Sequence, residues 1–257
     1  MNDSMNNPFT LKDKTIVVTG ASSGIGQQVA ISCSEMGAKV VLIARNKERL
    51  EETKKQLSGK GHLLVSYDLT DLEHQKELVS GIVSKMGRID GLVNCAGISA
   101  TLPLKLMKPE TVDELFRTNV FATIELTRQV LGVKNVNKEG ASVIFFASVM
   151  GCVGENAKSL YSLTKGALIS GCRSLALEYA PKKVRINVVS PGVIETPINK
   201  NQPYLADPEK RKATEALHPL GLGRTEDISN TCVFLLSDAS RWITGQNIIV
   251  DGGYTIK

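Results

Sequence analysis

Apolar and β-branched runs recur along the chain at residues 15–18, 40–43, 63–66, 91–93, 142–146, 186–189 and 248–250. Several are apolar throughout instead of alternating with polar positions, the pattern of strands covered on both faces. Between them, amphipathic stretches with helical spacing occupy residues 26–35, 47–57, 72–85, 112–131, 159–179 and 227–236. Thr111 with Glu114 predicts a capping box opening the fourth helix, and Thr225-Glu226-Asp227 predicts a cap for the last. Strand–helix alternation sustained along the chain predicts an α/β fold. Its sheet should be doubly wound, with parallel strands, helices on both faces and right-handed crossovers.

One stretch breaks the alternation. Residues 197–220 are rich in Pro, Asn and charge, with only a short helical pattern near 209–217. A connection that long inside a compact domain is usually functional, so a substrate loop or lid is expected; a plain surface excursion is the alternative. Residues 1–9, polar and Asn-rich, are expected to form a flexible tail ahead of a single domain at 10–257. They lack the basic start and apolar run of a secretory signal, and no apolar stretch approaches the roughly 20 residues of a membrane span.

Composition narrows the function classes. A hydrophobic content of 42% is enough for a sizeable core, and the formal charge of +5 suits anionic ligands. The densest basic run, Lys210-Arg211-Lys212, sits beside Glu209 and reads as a solvated helix face, so no nucleic-acid partner is expected. Five cysteines, Cys33, Cys95, Cys152, Cys172 and Cys232, follow neither C-x-x-C nor His-bearing metal spacing. Isolated thiols imply a reducing compartment, so a cytoplasmic protein with no metal and no membrane partner is expected. Cys152, shortly after Ser148, is a candidate for lining a pocket.

Thr15-Ile16-Val17-Val18 runs straight into Thr19-Gly20-Ala21-Ser22-Ser23-Gly24-Ile25-Gly26, where helical spacing begins. In a strand–turn–helix context, glycines let the backbone turn tightly and approach a pyrophosphate, whose charge meets free N–H groups at the helix start. The spacing is G-x-x-x-G-x-G, and a glycine-rich loop without a ligand is the plainer alternative. Tyr161 and Lys165, at i and i+4, share a helix face. A free tyrosine, with a pKa near 10, is a weak acid at neutral pH. A nearby ammonium is expected to lower that value and make the phenol a general acid, or its phenolate a base. Ser148 follows the strand at 142–146, so its hydroxyl is expected at the carboxyl end of the sheet, where it can stabilise charge growing on a carbonyl oxygen.

Thr19-Gly20-x-x-x-Gly24-x-Gly26 resembles the cofactor turn of the one-domain short-chain dehydrogenase/reductase family. The likeness continues through Asp68-Leu69, Asn94-Cys95-Ala96-Gly97, Asn119, Ser148, Tyr161-x-x-x-Lys165, Asn187 and Pro191-Gly192 to Thr196, in order along nearly the whole chain. Cys95 departs from the family's more frequent Asn. The resemblance implies a Rossmann-type sheet of seven strands binding a nicotinamide dinucleotide. Gly20, Ser22, Ser23, Gly24, Ile25 and Gly26 would form its pyrophosphate turn. Asp68 and Leu69 would hold adenine; a capping role for Asp68 can coexist with that. Asn94, Ala96 and Gly97 would line the adenosine ribose side, and Pro191, Gly192, Ile194 and Thr196 the nicotinamide side. Lys165 would also bind the nicotinamide ribose beside Tyr161, and Asn119 would hold a water in a proton relay ending at Lys165; a buried polar residue satisfying backbone groups is its alternative. The family usually forms homodimers or homotetramers through its fourth and fifth helices and C-terminal segment, a burial that suits Tyr254 and Ile256.

Cofactor choice turns on the end of the second strand, where NAD sites usually carry an acidic residue. Here Ala44 is followed by Arg45. A guanidinium can fork onto the 2′-phosphate of NADP, so NADP is expected, with Ser22 and Ser23 as further donors. The expected function is an NADPH-dependent reductase of a ketone. Leu220-Gly221-x-Gly223-Arg224, Ile243-Thr244-Gly245-Gln246 and Val250-Asp251-Gly252-Gly253 most resemble 3-oxoacyl-[acyl-carrier-protein] reductases, for which Lys182 and Lys183 are candidate carrier contacts. An alcohol or sugar dehydrogenase is the enzymatic alternative, and a non-catalytic nucleotide-binding or scaffold protein the alternative of another class.

Overall fold

All seven expected strands form and pair in parallel: β1 (Thr15–Thr19), β2 (Lys39–Ala44), β3 (Leu63–Ser66), β4 (Gly91–Asn94), β5 (Ala141–Phe146), β6 (Val184–Pro191) and β7 (Asn247–Val250). The computed structural model describes residues 7–256, and its sheet order is β3-β2-β1-β4-β5-β6-β7. The apolar runs are explained by their surroundings. In β1, Ile16 and Val18 enter one core cluster and Val17 the other; in β2, Val40 and Leu42 oppose Val41 and Ile43. One face is covered by helices α1 (Gly24–Glu35), α2 (Lys47–Lys55) and, from the other end of the chain, residues 225–236. The opposite face is covered by α3 (Gln75–Met86) and by residues 122–130 and 159–179.

The expected fourth helix is not continuous. It divides into α4 (Pro109–Phe116), a π-helical turn (Arg117–Phe121) and α5 (Ala122–Val130). The capping box at Thr111 is also absent: the helix starts earlier, with Lys108 as N-cap and Pro109 in the first turn, where its fixed φ and missing N–H cost nothing. The following helix, α6 (Ser159–Tyr179), has the expected bounds. The irregular stretch after β6 contains two short helices, α7 (Pro203–Ala206) and α8 (Pro208–Ala216), before α9 (Thr225–Leu236). Arg224 occupies the N-cap of α9, and its N–H donates to the Asp227 carboxylate at 2.7 Å, so the acidic residue does the capping.

Of the expected tail, residues 1–6 lie outside the described residues, while residues 7–9 are docked. The Pro8 carbonyl accepts from Ala239 N–H at 3.0 Å, and the Phe9 ring lies 6.2 Å from Phe234 of α9. The chain leaves β1 toward β2 and β3, then returns to build β4 to β7 on the other side. That reversal opens a crevice beyond the carboxyl ends of β1 and β4.

Candidate active site

A cleft of about 520 Å³ fills that crevice. Gly20, Ser22, Ser23, Gly24, Ile25, Gly26, Arg45, Asp68, Leu69, Ala96 and Gly97 line it, together with Ser148, Tyr161, Lys165, Pro191, Gly192, Ile194 and Thr196. Asn94 and Asn119 do not reach the wall. The Asn94 side chain is buried behind it, donating to Thr127 Oγ1 at 3.1 Å, so it braces α5.

The glycine turn suits a dinucleotide for local reasons. A Cβ on Gly26 would lie 2.4 Å from the Gly20 carbonyl oxygen, so only glycine lets α1 begin this close to β1. Ser23, the N-cap, makes no side-chain cap, which leaves the first-turn amides of α1 open to an anion. The donor set therefore fits a pyrophosphate. At the far end, the Asp68 carboxylate accepts from Thr70 N–H at 2.9 Å and Thr70 Oγ1 at 2.8 Å, with the Arg45 guanidinium 4.0 Å away. Burial pushes the Asp68 carboxyl up, but the Thr70 hydrogen bonds and Arg45 outweigh it and hold the group below its usual range. Asn46 and Arg49 line the same end and were missed from sequence. The available signal was Arg49 one turn beyond Arg45, at the start of a helix whose N-cap, Asn46, accepts from Arg49 N–H at 2.8 Å.

At the chemical end, Ser148 follows β5 and caps a 3-10 turn, Val149–Gly151, by accepting from Met150 N–H at 3.2 Å. That turn lies against α6 so tightly that a Cβ on Gly151 would come within 2.8 Å of Ile169 and 3.1 Å of the Lys165 carbonyl carbon. This approach sets the Ser148 hydroxyl beside the Tyr161 phenol, where it favours the phenolate form. Lys165 is buried, donates to the Phe146 carbonyl at 2.9 Å, and stands 5.6 Å from the Tyr161 ring centroid. Burial lowers its pKa to about 8.

The expected lowering of the Tyr161 pKa is not found. Burial pushes the phenol up to about 12 and outweighs the Ser148 hydrogen bond, while Lys165 spends its ammonium on the Phe146 carbonyl. Asn119 lies in the π-helical turn. Its Oδ1 accepts from Ile98 N–H at 2.9 Å, and its amide donates to Ile98 O at 2.9 Å and Thr164 Oγ1 at 3.2 Å. Both amide hydrogens are thus spent on protein groups, although Oδ1 and the Lys165 Nζ face each other across Gly97. Cys152 is exposed, off the cleft wall, and accepts from Asn247 Nδ2 at 3.2 Å. Among the described residues no group of three or more His, Cys, Asp or Glu can hold a metal ion, and no helix is long and apolar enough to cross a membrane.

Comparison with known proteins agrees with this arrangement. Residues 20–255 match the family model described as enoyl-(acyl carrier protein) reductase. The 3-oxoacyl-[acyl-carrier-protein] reductase FabG of Thermotoga maritima is 34% identical over 249 residues, 96% of this chain and 99% of the relative. The NAD-dependent glycerol dehydrogenase of Listeria innocua is 34% identical over 250 residues, 97% and 96% of the two chains. A solved structure from Beutenbergia cavernae, assigned as an NAD(P)-dependent gluconate 5-dehydrogenase with NADP bound at low occupancy, superposes with a TM-score of 0.88. It is 31% identical, and the match covers 97% of this chain and all of that one.

Proposed function

The chain belongs to the short-chain dehydrogenase/reductase family, and from that premise we propose that it is an NADPH-dependent reductase of a ketone carbonyl. The observation that carries the reading is the contact of Ser148 with Tyr161 beside a buried Lys165, in the same cleft as the uncapped start of α1. NADPH, when bound, supplies the hydride. The amides of Gly24 to Gly26 would hold its pyrophosphate, and Ile194 and Thr196 its nicotinamide side. Arg45, with Arg49 and Ser22 nearby, would hold the 2′-phosphate. Ala44 leaves room there without a repelling carboxylate.

Ser148 and Tyr161 then act together on the substrate oxygen. Both hydroxyls donate to it, so the charge that develops there meets donors already in place. Tyr161 gives up its proton to that oxygen as the alcohol forms. With its pKa raised by burial, the phenol is protonated at neutral pH and holds the proton that the product oxygen takes up. Lys165, held by the Phe146 carbonyl, would orient the nicotinamide ribose and steady the phenolate with its remaining donors. Asn119 keeps the Ile98 backbone and α6 in register around that lysine.

The likeness to a glycerol dehydrogenase keeps an oxidising alcohol or sugar dehydrogenase as the second reading. The five free cysteines support a cytoplasmic protein, and a homodimer or homotetramer is the assembly we favour. The test is NADPH consumption with 3-oxoacyl thioesters, sugar ketones and diketones. Turnover of at least one, faster with NADPH than with NADH, is expected. No turnover of any carbonyl, or faster use of NADH, would overturn the proposal.

A further inference from the structure

Lys158 lies three residues before Tyr161 as N-cap of α6, and it is 7% exposed. Its Nζ donates to Thr101 Oγ1 at 2.5 Å and stands 5.9 Å from the ring centroids of both Tyr161 and Tyr204. Thr101 belongs to the loop after β4 and Tyr204 to α7. The ammonium thus sits between that loop, α7 and the Tyr161 ring. Its placement is firmly determined. Ala157, just before it, is held in the left-handed region at φ 62°, and the Ala157 carbonyl accepts from Leu102 N–H at 2.7 Å. A non-glycine residue stays there only where its surroundings impose it.

What this cation lacks is a counter-ion. Among the described residues no carboxylate lies within ion-pair distance of Lys158. The carboxylate whose charge it feels is that of Glu155, which is exposed. An ammonium has three donors, and one hydrogen bond to a hydroxyl does not offset the cost of removing the charge from water.

Resting on the reading of the cleft as a carbonyl reductase, we propose that Lys158 receives an anionic group of the substrate. Among the ketones the cleft reduces, one bearing a carboxylate or phosphate is thus preferred over its neutral counterpart. Lys158 is then a specificity determinant beside Tyr161, and the anion it binds supplies the missing counter-charge.

Two matched pairs test this: acetoacetate against methyl acetoacetate, and dihydroxyacetone phosphate against dihydroxyacetone. The anion of at least one pair should exceed its neutral partner by about 10-fold or more in kcat/KM, carried by KM, the scale of a hydrogen bond to a charged group. The pair that responds identifies carboxylate or phosphate. Lys158→Met should collapse that ratio to near one, and Lys158→Arg should restore part of it. Equal use of both partners in both pairs, or a ratio that survives in Lys158→Met, would overturn the assignment. Calorimetry with the unreactive anions 3-hydroxybutyrate and glycerol phosphate, in the presence of NADP, separates this claim from the one it rests on. Weaker binding of either anion to Lys158→Met upholds the anion site even if no carbonyl is reduced, whereas equal binding to native and variant sinks it.

Discussion

Lys165 illustrates how far a single side chain can depart from its sequence reading. The i, i+4 spacing with Tyr161 was legible, but spacing says nothing of burial, which lowers the lysine pKa to about 8 and raises the phenol to about 12. If the ammonium is the working form, kcat/KM for NADPH, which reports the free enzyme, should be level below about pH 8 and fall as pH rises through it. A profile level to pH 9.5 would refute that role. The family resemblance places Asn94 on the ribose side and gives Asn119 a relay water, with a buried polar residue as the alternative for Asn119. Their donors serve Thr127 and Thr164, partners far away in sequence. Arg45 belongs to the same scale. Replacing Ala44 with Asp and Arg45 with a neutral residue should shift preference from NADPH toward NADH by roughly 10- to 150-fold in kcat/KM, the equivalent of about 1.5–3 kcal/mol. Equal weakening of both cofactors by Arg45→Ala would remove the argument for NADP.

At the scale of elements, the strands and α6 could be read from periodicity because burial on both faces leaves an unbroken apolar signature. The break in the fourth helix could not: Arg117–Phe121 keeps helical spacing, and a π turn changes hydrogen bonding without changing composition. The seating of α6 on the turn after β5 was also invisible, since it depends on Gly151 having no side chain. Gly151→Ala should force α6 away from Ser148. Overpacking of this kind costs typically 1–3 kcal/mol. The expected result is a lower Tm with a larger loss in kcat than in NADPH affinity, read by calorimetric melting and steady-state kinetics. A variant with native kcat would mean that this contact does not set the distance between Ser148 and Tyr161.

For the whole molecule, strand–helix alternation specified a doubly wound sheet, and the position of the cleft follows from where the strand order reverses. Assembly is less directly written. Trp242 is 90% exposed and Ile256 86%, with Leu177 also exposed; Phe121 and Leu163 are exposed near the π turn and on α6. Tyr254, also expected to suit burial against a partner, lies tilted against His218 with ring centroids 4.9 Å apart. Apolar surface of this kind is costly to leave in water. The protein should therefore sediment as a dimer or tetramer at micromolar concentration, and a single species near 27.8 kDa would contradict this.

The central claim is that Tyr161 supplies the proton while other residues hold the dinucleotide. Its most direct test is Tyr161→Phe, with single-turnover reduction of a productive carbonyl and the NADPH dissociation constant measured on the same preparation. The rate should fall by about 10²–10⁴-fold, the usual contribution of a positioned acid, with NADPH affinity nearly unchanged. A variant that kept more than about a tenth of the native rate, or that lost NADPH binding in step with its rate, would contradict the account.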